Sequence, residues 1–243
     1  RNLSAALAKE AGLELGIKGS IVVNDRMETS VPDIYAAGDA VQVKHYVTGN
    51  DALISLAGPA NKQGRIIADN ICGGDSHYLG SQGSSVIKVF DMTAATTGIN
   101  ETKAKKSGLE VDTVILSPMS HAGYYPGGKV MTMKVVFEKE SYRLLGAQII
   151  GYEGVDKRID VLATAIHAGL KATQLKDLDL AYAPPYSSAK DPVNMAGFMI
   201  DNIAKGTLKQ WHLEDMDKIS KGKDVVLLDV RTVAEFNRGH VGG

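Results

Sequence analysis

Cysteine is almost absent from this sequence: Cys72 is the single cysteine in 243 residues, so no disulfide can form within the chain. Neither sign of charge dominates. The formal net charge is -1, which gives no indication of a nucleic-acid or membrane-surface partner. No apolar run approaches the roughly 20 residues of a membrane-spanning helix, and no signal-peptide pattern is visible. We therefore expect a cytoplasmic protein with neither nucleic-acid nor membrane partners.

Metal-ligand spacing is also missing among the six histidines, so we expect no metal site. What is present is an ordinary globular composition, with 44% hydrophobic and 23% charged residues and enough length for one to three domains. The chain opens on Arg1 and closes on the letters RGHVGG, directly after a strand-like run and a helix start. These ends predict an internal piece of a longer protein.

The first segment, residues 1–75, has a partial α/β pattern. The letters IKGSIVVND (17–25) and VPDIYAAGDA (31–40) read as two short strands. A helix is predicted from Pro59, because proline suits the first helical turn, to the glycines after Cys72. Cys72 itself is expected to be a small buried apolar residue.

The second segment, residues 82–206, follows a stretch rich in glycine and serine and has an α+β pattern. A strand, a short helix capped by Asn100 and ended by Gly108, three strands and two helices follow one another. The middle of these three strands alternates between apolar and polar residues, which predicts an antiparallel sheet with one wet face. The helix over 155–169 is expected to bury Ile159, Leu162, Ala163 and Ile166, and the helix over 191–206 Val193, Ala196, Met199 and Ile203.

The third segment, residues 207–243, begins as a linker. The run KDVVLLDVR (223–231) then reads as a strand of a parallel sheet covered on both faces, and TVAEFNRGH (232–240) as the beginning of a helix or turn. The whole chain is therefore predicted to combine α/β and α+β architecture.

Two neighbouring features of the first segment could hold a cofactor. At the end of the second predicted strand, Gly38 would let a phosphate approach the backbone, and the Asp39 carboxylate could accept hydrogen bonds from ribityl or ribose hydroxyls. The N-terminus of the helix at Pro59 carries partial positive charge, which can stabilise negative charge on an aromatic cofactor. A plain turn and a well-capped surface helix are the alternative reading.

Several motifs, in the same order along the chain, resemble one enzyme family. The runs SIVVNDRMETSVPDIYAAGDAV and LAGPANKQGRIIADNI resemble the second half of the FAD domain of pyridine nucleotide-disulfide oxidoreductases, and the α+β region resembles their interface domain. HAGYYPGG and DLAYAPPYSSAKDPVN resemble the branch of coenzyme A-disulfide reductases and NADH oxidases. VVLLDVRTVAEFNRGHVGG resembles the start of a rhodanese domain, including Asp229, Arg231, Glu235 and His240.

The resemblance implies roles for ten residues. Gly38 and Asp39 would bind the ribityl–phosphate part of FAD, while Leu56, Ala57, Gly58 and Pro59 would lie beside the isoalloxazine. Tyr124 or Tyr125, together with Tyr182 or Tyr186, would reach across a homodimer to meet a small-molecule thiol or disulfide in the partner's active site. A tyrosine hydroxyl can donate to a thiolate or a sulfur leaving group. Ordinary interface aromatics are the alternative.

The implied activity is FAD- and NAD(P)H-dependent reduction of coenzyme A disulfide or of a coenzyme A persulfide or polysulfide. The family's glycine-rich FAD motif, its redox-active cysteine and most of its NAD(P)H domain have no counterpart in these 243 residues. Two alternatives stay open: an NADH oxidase that reduces oxygen or peroxide, and a non-catalytic fragment that only dimerises.

Overall fold

The computed structural model describes residues 3–219, 226 and 228–240 of the chain, with the side chains of 3–5, 217 and 218 left out. The chain divides into two compact units, residues 1–201 and 202–243. The helices are α1 Leu3–Glu10, α2 Ala57–Ile71, α3 Glu101–Lys106, α4 Val155–His167, α5 Pro192–Ala204, α6 Met216–Ile219 and α7 Val233–Arg238. The strands are β1 Val43–Lys44, β2 Asp51–Ala52, β3 Ser85–Val89, β4 Met92–Gly98, β5 Val111–Leu116, β6 Thr132–Glu138 and β7 Leu144–Gly151.

The beginning of the first unit contains less strand than the sequence predicts. Residues 17–25 and 31–40 form isolated bridges, such as Ile21 with Val41, and short 3₁₀ turns, so both strand predictions are wrong. The physical reason is local: Lys18, Met27 and Asp33 have positive φ angles of 53°, 66° and 64°, which interrupt an extended chain.

Helix α2 agrees with the sequence prediction, although it begins at Ala57, two residues before Pro59. Cys72 is its C-cap and is exposed, so the prediction of a buried cysteine is wrong. Ile66 and Ile67 pack from the inner face of α2 against a small core that includes Met27 and Val41. The helix is therefore fixed against the turn that carries Gly38.

The antiparallel sheet predicted from the sequence is present, with five strands in the order β3-β4-β7-β6-β5. Strand β4 was not predicted, because its letters MTAATTG contain one large apolar side chain and otherwise small residues and threonines. It pairs with β3 through a tight hairpin turn at Phe90 and Asp91.

Helix α4 packs on β4 and β7. It buries the predicted Ile159, Leu162 and Ile166, while Ala163 is half-buried. In α5, Val193 and Ala196 are buried as predicted, Ile200 is equally buried although it was not predicted, and Met199 and Ile203 are only half-buried. Among the described residues, no helix has the length and apolar character needed to cross a bilayer.

The second unit, as far as it is described, contains α6 and α7. Part of the predicted strand 223–231 lies outside the described residues, and residues 226 and 228–230 are not in a strand. Helix α7 confirms the predicted helix or turn, with Thr232 and Glu235 forming a reciprocal cap. Just before it, the guanidinium of Arg231 pairs with the Asp229 carboxylate at 2.5 Å, which lowers the pKa of Asp229 to about 2. The domain limits predicted above, 1–75, 82–206 and 207–243, stay predictions.

Two glycines set the close approach of β4 and β7. Gly98 and Gly146 face each other across the ladder. A Cβ atom on Gly98 would lie 2.2 Å from the Leu145 carbonyl oxygen, and one on Gly146 would lie 2.1 Å from the Ile99 carbonyl oxygen. Gly98 also has a φ of +66°, a conformation that glycine adopts at little cost. The end of the β4–β7 ladder therefore excludes side chains at both positions.

We predict that Gly98→Ala lowers the free energy of unfolding by about 3 kcal/mol or more, because the strands must separate around the new methyl group. Gly108→Ala is the matched control, since Gly108 also has a positive φ, +77°, but open space around it. Its expected cost is about 1–2 kcal/mol from the left-handed backbone alone. Urea unfolding of both variants measures the difference, and equal losses would contradict the steric account.

Candidate functional site

The residues expected beside the flavin come together in the structure. Gly38, Asp39 and Ala40 form a single 3₁₀ turn, which packs on the N-terminal half of α2. The Gly38 N–H donates to Oε1 of Gln63 at 2.7 Å. Gln63 is 1% exposed, so this hydrogen bond is shielded from water and fixes the turn to the helix.

The polar groups of this turn and of the helix end have the chemistry that one edge of FAD requires. The Asp39 carboxylate is exposed and has no hydrogen-bond or ion-pair partner among the described residues. Leu56 is the N-cap of α2 and makes no side-chain cap, so the N–H groups of Ala57 and Gly58 lie outside the helical ladder. A Cβ atom on Gly58 would meet no atom within 4 Å, so the space in front of the helix is open. An acceptor for hydroxyls thus lies near a positive helix end, and these residues fit the flavin.

The four candidate tyrosines lie on two loops of the α+β region. The first tyrosine loop, residues 117–131, joins β5 to β6, and the second tyrosine loop, residues 178–191, leads into α5. The hydroxyls of Tyr124 and Tyr182 lie 2.7 Å apart and form a hydrogen bond. Tyr125 instead packs edge-on against the His121 ring, with centroids 5.6 Å apart, and Tyr186 is largely exposed. The structure therefore pairs Tyr124 with Tyr182.

A cavity of about 540 Å³ opens between the second tyrosine loop and the beginning of α4. Its wall includes Ser120, His121, Lys157, Arg158, Tyr182 and Tyr186. All of the lining residues lie between positions 120 and 186. The turn that carries Asp39 and the helix start at Gly58 therefore do not open into this cavity.

Beneath the tyrosine loops lies an ion pair between two fully buried side chains. Arg158 is 1% exposed and Asp191 2% exposed, and their nearest nitrogen and oxygen atoms are 3.0 Å apart. A buried charge is costly unless it is paired and hydrogen-bonded. The pair therefore requires well-ordered surroundings.

Two protein-family models match most of this chain. The model of the pyridine nucleotide-disulphide oxidoreductase dimerisation domain matches residues 84–192, and that of the pyridine nucleotide-disulphide oxidoreductase domain matches residues 1–64. The chain belongs to the pyridine nucleotide-disulphide oxidoreductase family. It is 39% identical to the NAD(P)H sulfur oxidoreductase (CoA-dependent) of Pyrococcus abyssi over 187 residues. This alignment covers 77% of this chain and 42% of that protein. The chain thus spans less than half the length of this curated relative.

Two solved structures agree with this assignment. Reduced CoADR-RHD from Bacillus anthracis is 49% identical, with a TM-score of 0.94 over 98% of this chain and 43% of that one. The NAD-dependent persulfide reductase from A. fulgidus is 43% identical, with a TM-score of 0.88 over 95% of this chain and 42% of that one.

Two supporting residues, Gln63 and Arg158, were not predicted above, although the sequence carries a signal for each. Gln63 lies three and four residues before Ile66 and Ile67, on the inner face of α2. Arg158 lies four residues before Leu162, on the buried face of α4. A polar residue at helical spacing from buried apolar residues indicates an internal hydrogen-bonding role.

The hydrogen bond between the tyrosine hydroxyls changes the acidity of Tyr182. Tyr124 holds the pKa of the Tyr182 hydroxyl above its ordinary value, with loss of hydration as a further cause. Tyr182 therefore stays neutral to a higher pH than an ordinary tyrosine, whose hydroxyl already keeps its proton at neutral pH. Because the pKa is raised in the folded state, the contribution to stability is complete below about pH 10 and is lost as the pH rises through the raised pKa.

We predict that Tyr124→Phe lowers the pKa of Tyr182 toward the ordinary tyrosine value of about 10, because the hydrogen-bond partner is removed. The measurement is the ultraviolet titration of tyrosinate, taken as the difference between each protein and its Tyr182→Phe derivative. Tyr125→Phe is the control and should leave the curve unchanged. A Tyr182 pKa that does not respond to Tyr124→Phe would show that the two hydroxyls are not paired in solution.

Proposed function

We propose that this chain is part of an FAD- and NAD(P)H-dependent reductase of coenzyme A disulfide or of a coenzyme A persulfide or polysulfide. The observation that carries the proposal is the hydrogen-bonded pair of Tyr124 and Tyr182. It occurs in a chain whose relatives carry names of coenzyme A-dependent sulfur and disulfide reductases. The family uses FAD and NAD(P)H.

The tyrosine pair has the chemistry to bind sulfur. In a pair of hydroxyls, one O–H is used within the pair and the other can donate outward. The outward O–H can stabilise a thiolate leaving group or transfer a proton to it. Tyr182 keeps its proton at neutral pH, as this role requires, and the raised pKa of its hydroxyl extends that range to higher pH. Tyr125 and Tyr186, whose hydroxyls lie outside the pair, are then neighbours that shape the surroundings.

FAD, when bound, would supply the redox chemistry between the nicotinamide and the sulfur compound. Asp39 would accept hydrogen bonds from its ribityl hydroxyls, and the Gly38 backbone would allow the phosphate to approach. The N-terminus of α2, from Leu56 to Pro59, would place partial positive charge beside the isoalloxazine. The buried Gln63 would hold these two elements in register.

A homodimer is part of the proposal. The match of residues 84–192 to a dimerisation domain supports it. The location of Tyr182 supports the homodimer too. Tyr182 lines a cavity that does not include the flavin edge of the same chain, which is the turn at residues 38–40 with the start of α2. The tyrosines would then serve the flavin edge of a second subunit. We also propose that residues 207–243 begin a rhodanese-like domain. The pair of Asp229 with Arg231, followed by the capped helix α7, supports this proposal.

We predict that Tyr124→Phe and Tyr182→Phe each lower kcat for coenzyme A disulfide in the complete dimeric protein on the order of 100-fold, because a proton donor to the leaving thiolate is lost. Steady-state oxidation of NAD(P)H measures the loss. The double variant should be little worse than either single variant, since the two hydroxyls act as one unit.

Tyr152→Phe is the control, because Tyr152 is 49% exposed, against 45% for Tyr182, and belongs to neither tyrosine loop. It should retain the wild-type kcat. Full turnover by both Tyr124→Phe and Tyr182→Phe would remove the support for a sulfur site at the pair.

A further inference from the structure

One nitrogen of the buried Arg158 side chain links both tyrosine loops. Nη2 donates to the carbonyl oxygen of Ser120 in the first tyrosine loop at 2.9 Å. It also approaches the carbonyl oxygen of Tyr186 at 3.3 Å and Oγ of Ser187 at 3.2 Å, both in the second tyrosine loop. The loops also meet directly, through the Ala122 N–H and the Ser187 carbonyl at 2.9 Å.

Asp191 extends this network to α5. Its carboxylate accepts from the Ser187 hydroxyl at 2.6 Å and from the Val193 N–H at 3.0 Å, in addition to Nε and Nη2 of Arg158. The guanidinium thus sets the position of the second tyrosine loop through its carboxylate partner and through the loop backbone.

The space for the guanidinium depends on a glycine. A Cβ atom on Gly154, at the N-cap of α4, would lie 1.9 Å from Nη1 of Arg158. Nη1 also donates to the Gly154 carbonyl at 3.2 Å. Because Gly154 has no side chain, the beginning of α4 leaves room for the guanidinium, and the Gly154 carbonyl fixes the position of Nη1.

The tyrosines need such a support. Tyr124 is 76% exposed and Tyr182 45% exposed, so packing of their own rings fixes them weakly. A buried ion pair adds little net stability compared with apolar residues of the same volume. The pair instead fixes the positions of its neighbours, because the Arg158 guanidinium has five N–H donors in one plane and binds several acceptors at fixed angles.

We propose that Arg158 and Asp191 are positioning residues, which hold the two tyrosine loops so that the hydroxyls of Tyr124 and Tyr182 meet. The catalytic consequence of this positioning rests on the proposed function, whereas the geometric claim does not. Displacement of a reacting group by about 1 Å costs on the order of 100-fold in rate.

The test uses Arg158→Lys in the complete dimeric protein. Lysine keeps the charge but has three donors on one ammonium in place of the planar five-donor fork, so it cannot reproduce all the contacts of the guanidinium with α4, both tyrosine loops and Asp191. The double variant Arg158→Met/Asp191→Asn covers the possibility that the first variant does not fold, because it leaves no unpaired buried charge. The control is Lys176→Met, which removes the ion pair of Lys176 with Asp201 at 2.8 Å and touches neither tyrosine loop.

The first readout is the tyrosinate titration of Tyr182, which requires no activity. We expect its pKa to fall toward about 10 in both Arg158 variants and to stay raised in Lys176→Met. The second readout is turnover of coenzyme A disulfide, expected to fall about 100-fold in the Arg158 variants, with no further loss on adding Tyr182→Phe.

The two proposals fail in different ways. A Tyr182 titration that is unchanged in the folded Arg158 variants overturns the positioning role, whatever the turnover. A shifted titration in a protein whose turnover is indifferent to Tyr124→Phe and Tyr182→Phe supports the positioning role and contradicts the proposed function.

Discussion

The burial of one positive charge, the guanidinium of Arg158, is the constraint on which the tyrosine region depends. A charge that is 1% exposed must be matched by acceptors on every side. The acceptors come from the beginning of α4, from both tyrosine loops and from Asp191 before α5. Because all of these groups must converge on one planar side chain, the path of each loop is restricted. The exposed hydroxyls of Tyr124 and Tyr182 meet above this buried support.

The proposed flavin edge, formed by the turn at residues 38–40 and the start of α2, is built in the same way. Exposed groups with chemistry, the Asp39 carboxylate and the N–H groups at the start of α2, are held by a buried polar side chain, Gln63. In both places the residue that would contact the ligand is exposed and flexible in principle. The side chain that holds each of these groups in position, Gln63 in one place and Arg158 in the other, is buried and hydrogen-bonded to backbone groups. Buried polar side chains that hold exposed groups in place explain how those exposed groups can keep a defined geometry.

Under the proposed function, the chain carries parts of two sites. It covers less than half of the length of its relatives, and its flavin edge and tyrosine pair do not share a cavity. Tyrosine hydroxyls that serve the flavin edge of a second subunit account for this separation, provided that the dimerisation domain brings the two together. In such a dimer, contacts within one subunit could not adjust the tyrosines to the flavin edge that they serve. The position of the tyrosines would therefore depend on the buried support of their loops.

The sequence predicted the elements whose patterns are strong and local. The periodicity of α4, the Asn100 cap and the alternation along β6 as far as Val135 reappear in the structure, and α5 buries two of its four predicted residues. It did not predict β4, whose small residues carry little periodic signal, and it placed strands at 17–25 and 31–40 where residues with positive φ break the chain. The candidate tyrosines were named in pairs from family resemblance. Their choice within each pair required three-dimensional contacts between residues 58 positions apart. Arg158 and Gln63 were accessible in principle from helical spacing, but their partners were not, because those partners are backbone groups distant in sequence.

The central claim is that the tyrosine pair belongs to a reductase of coenzyme A-linked sulfur. The most direct measurement compares kcat/KM of the FAD-loaded dimeric protein for coenzyme A disulfide, a coenzyme A persulfide and oxygen, with NAD(P)H as the reductant. The account predicts that one of the two coenzyme A-linked acceptors has a kcat/KM well above that of oxygen. Oxidation of NAD(P)H that depends only on oxygen and does not respond to either sulfur acceptor would contradict the account and identify an oxidase instead.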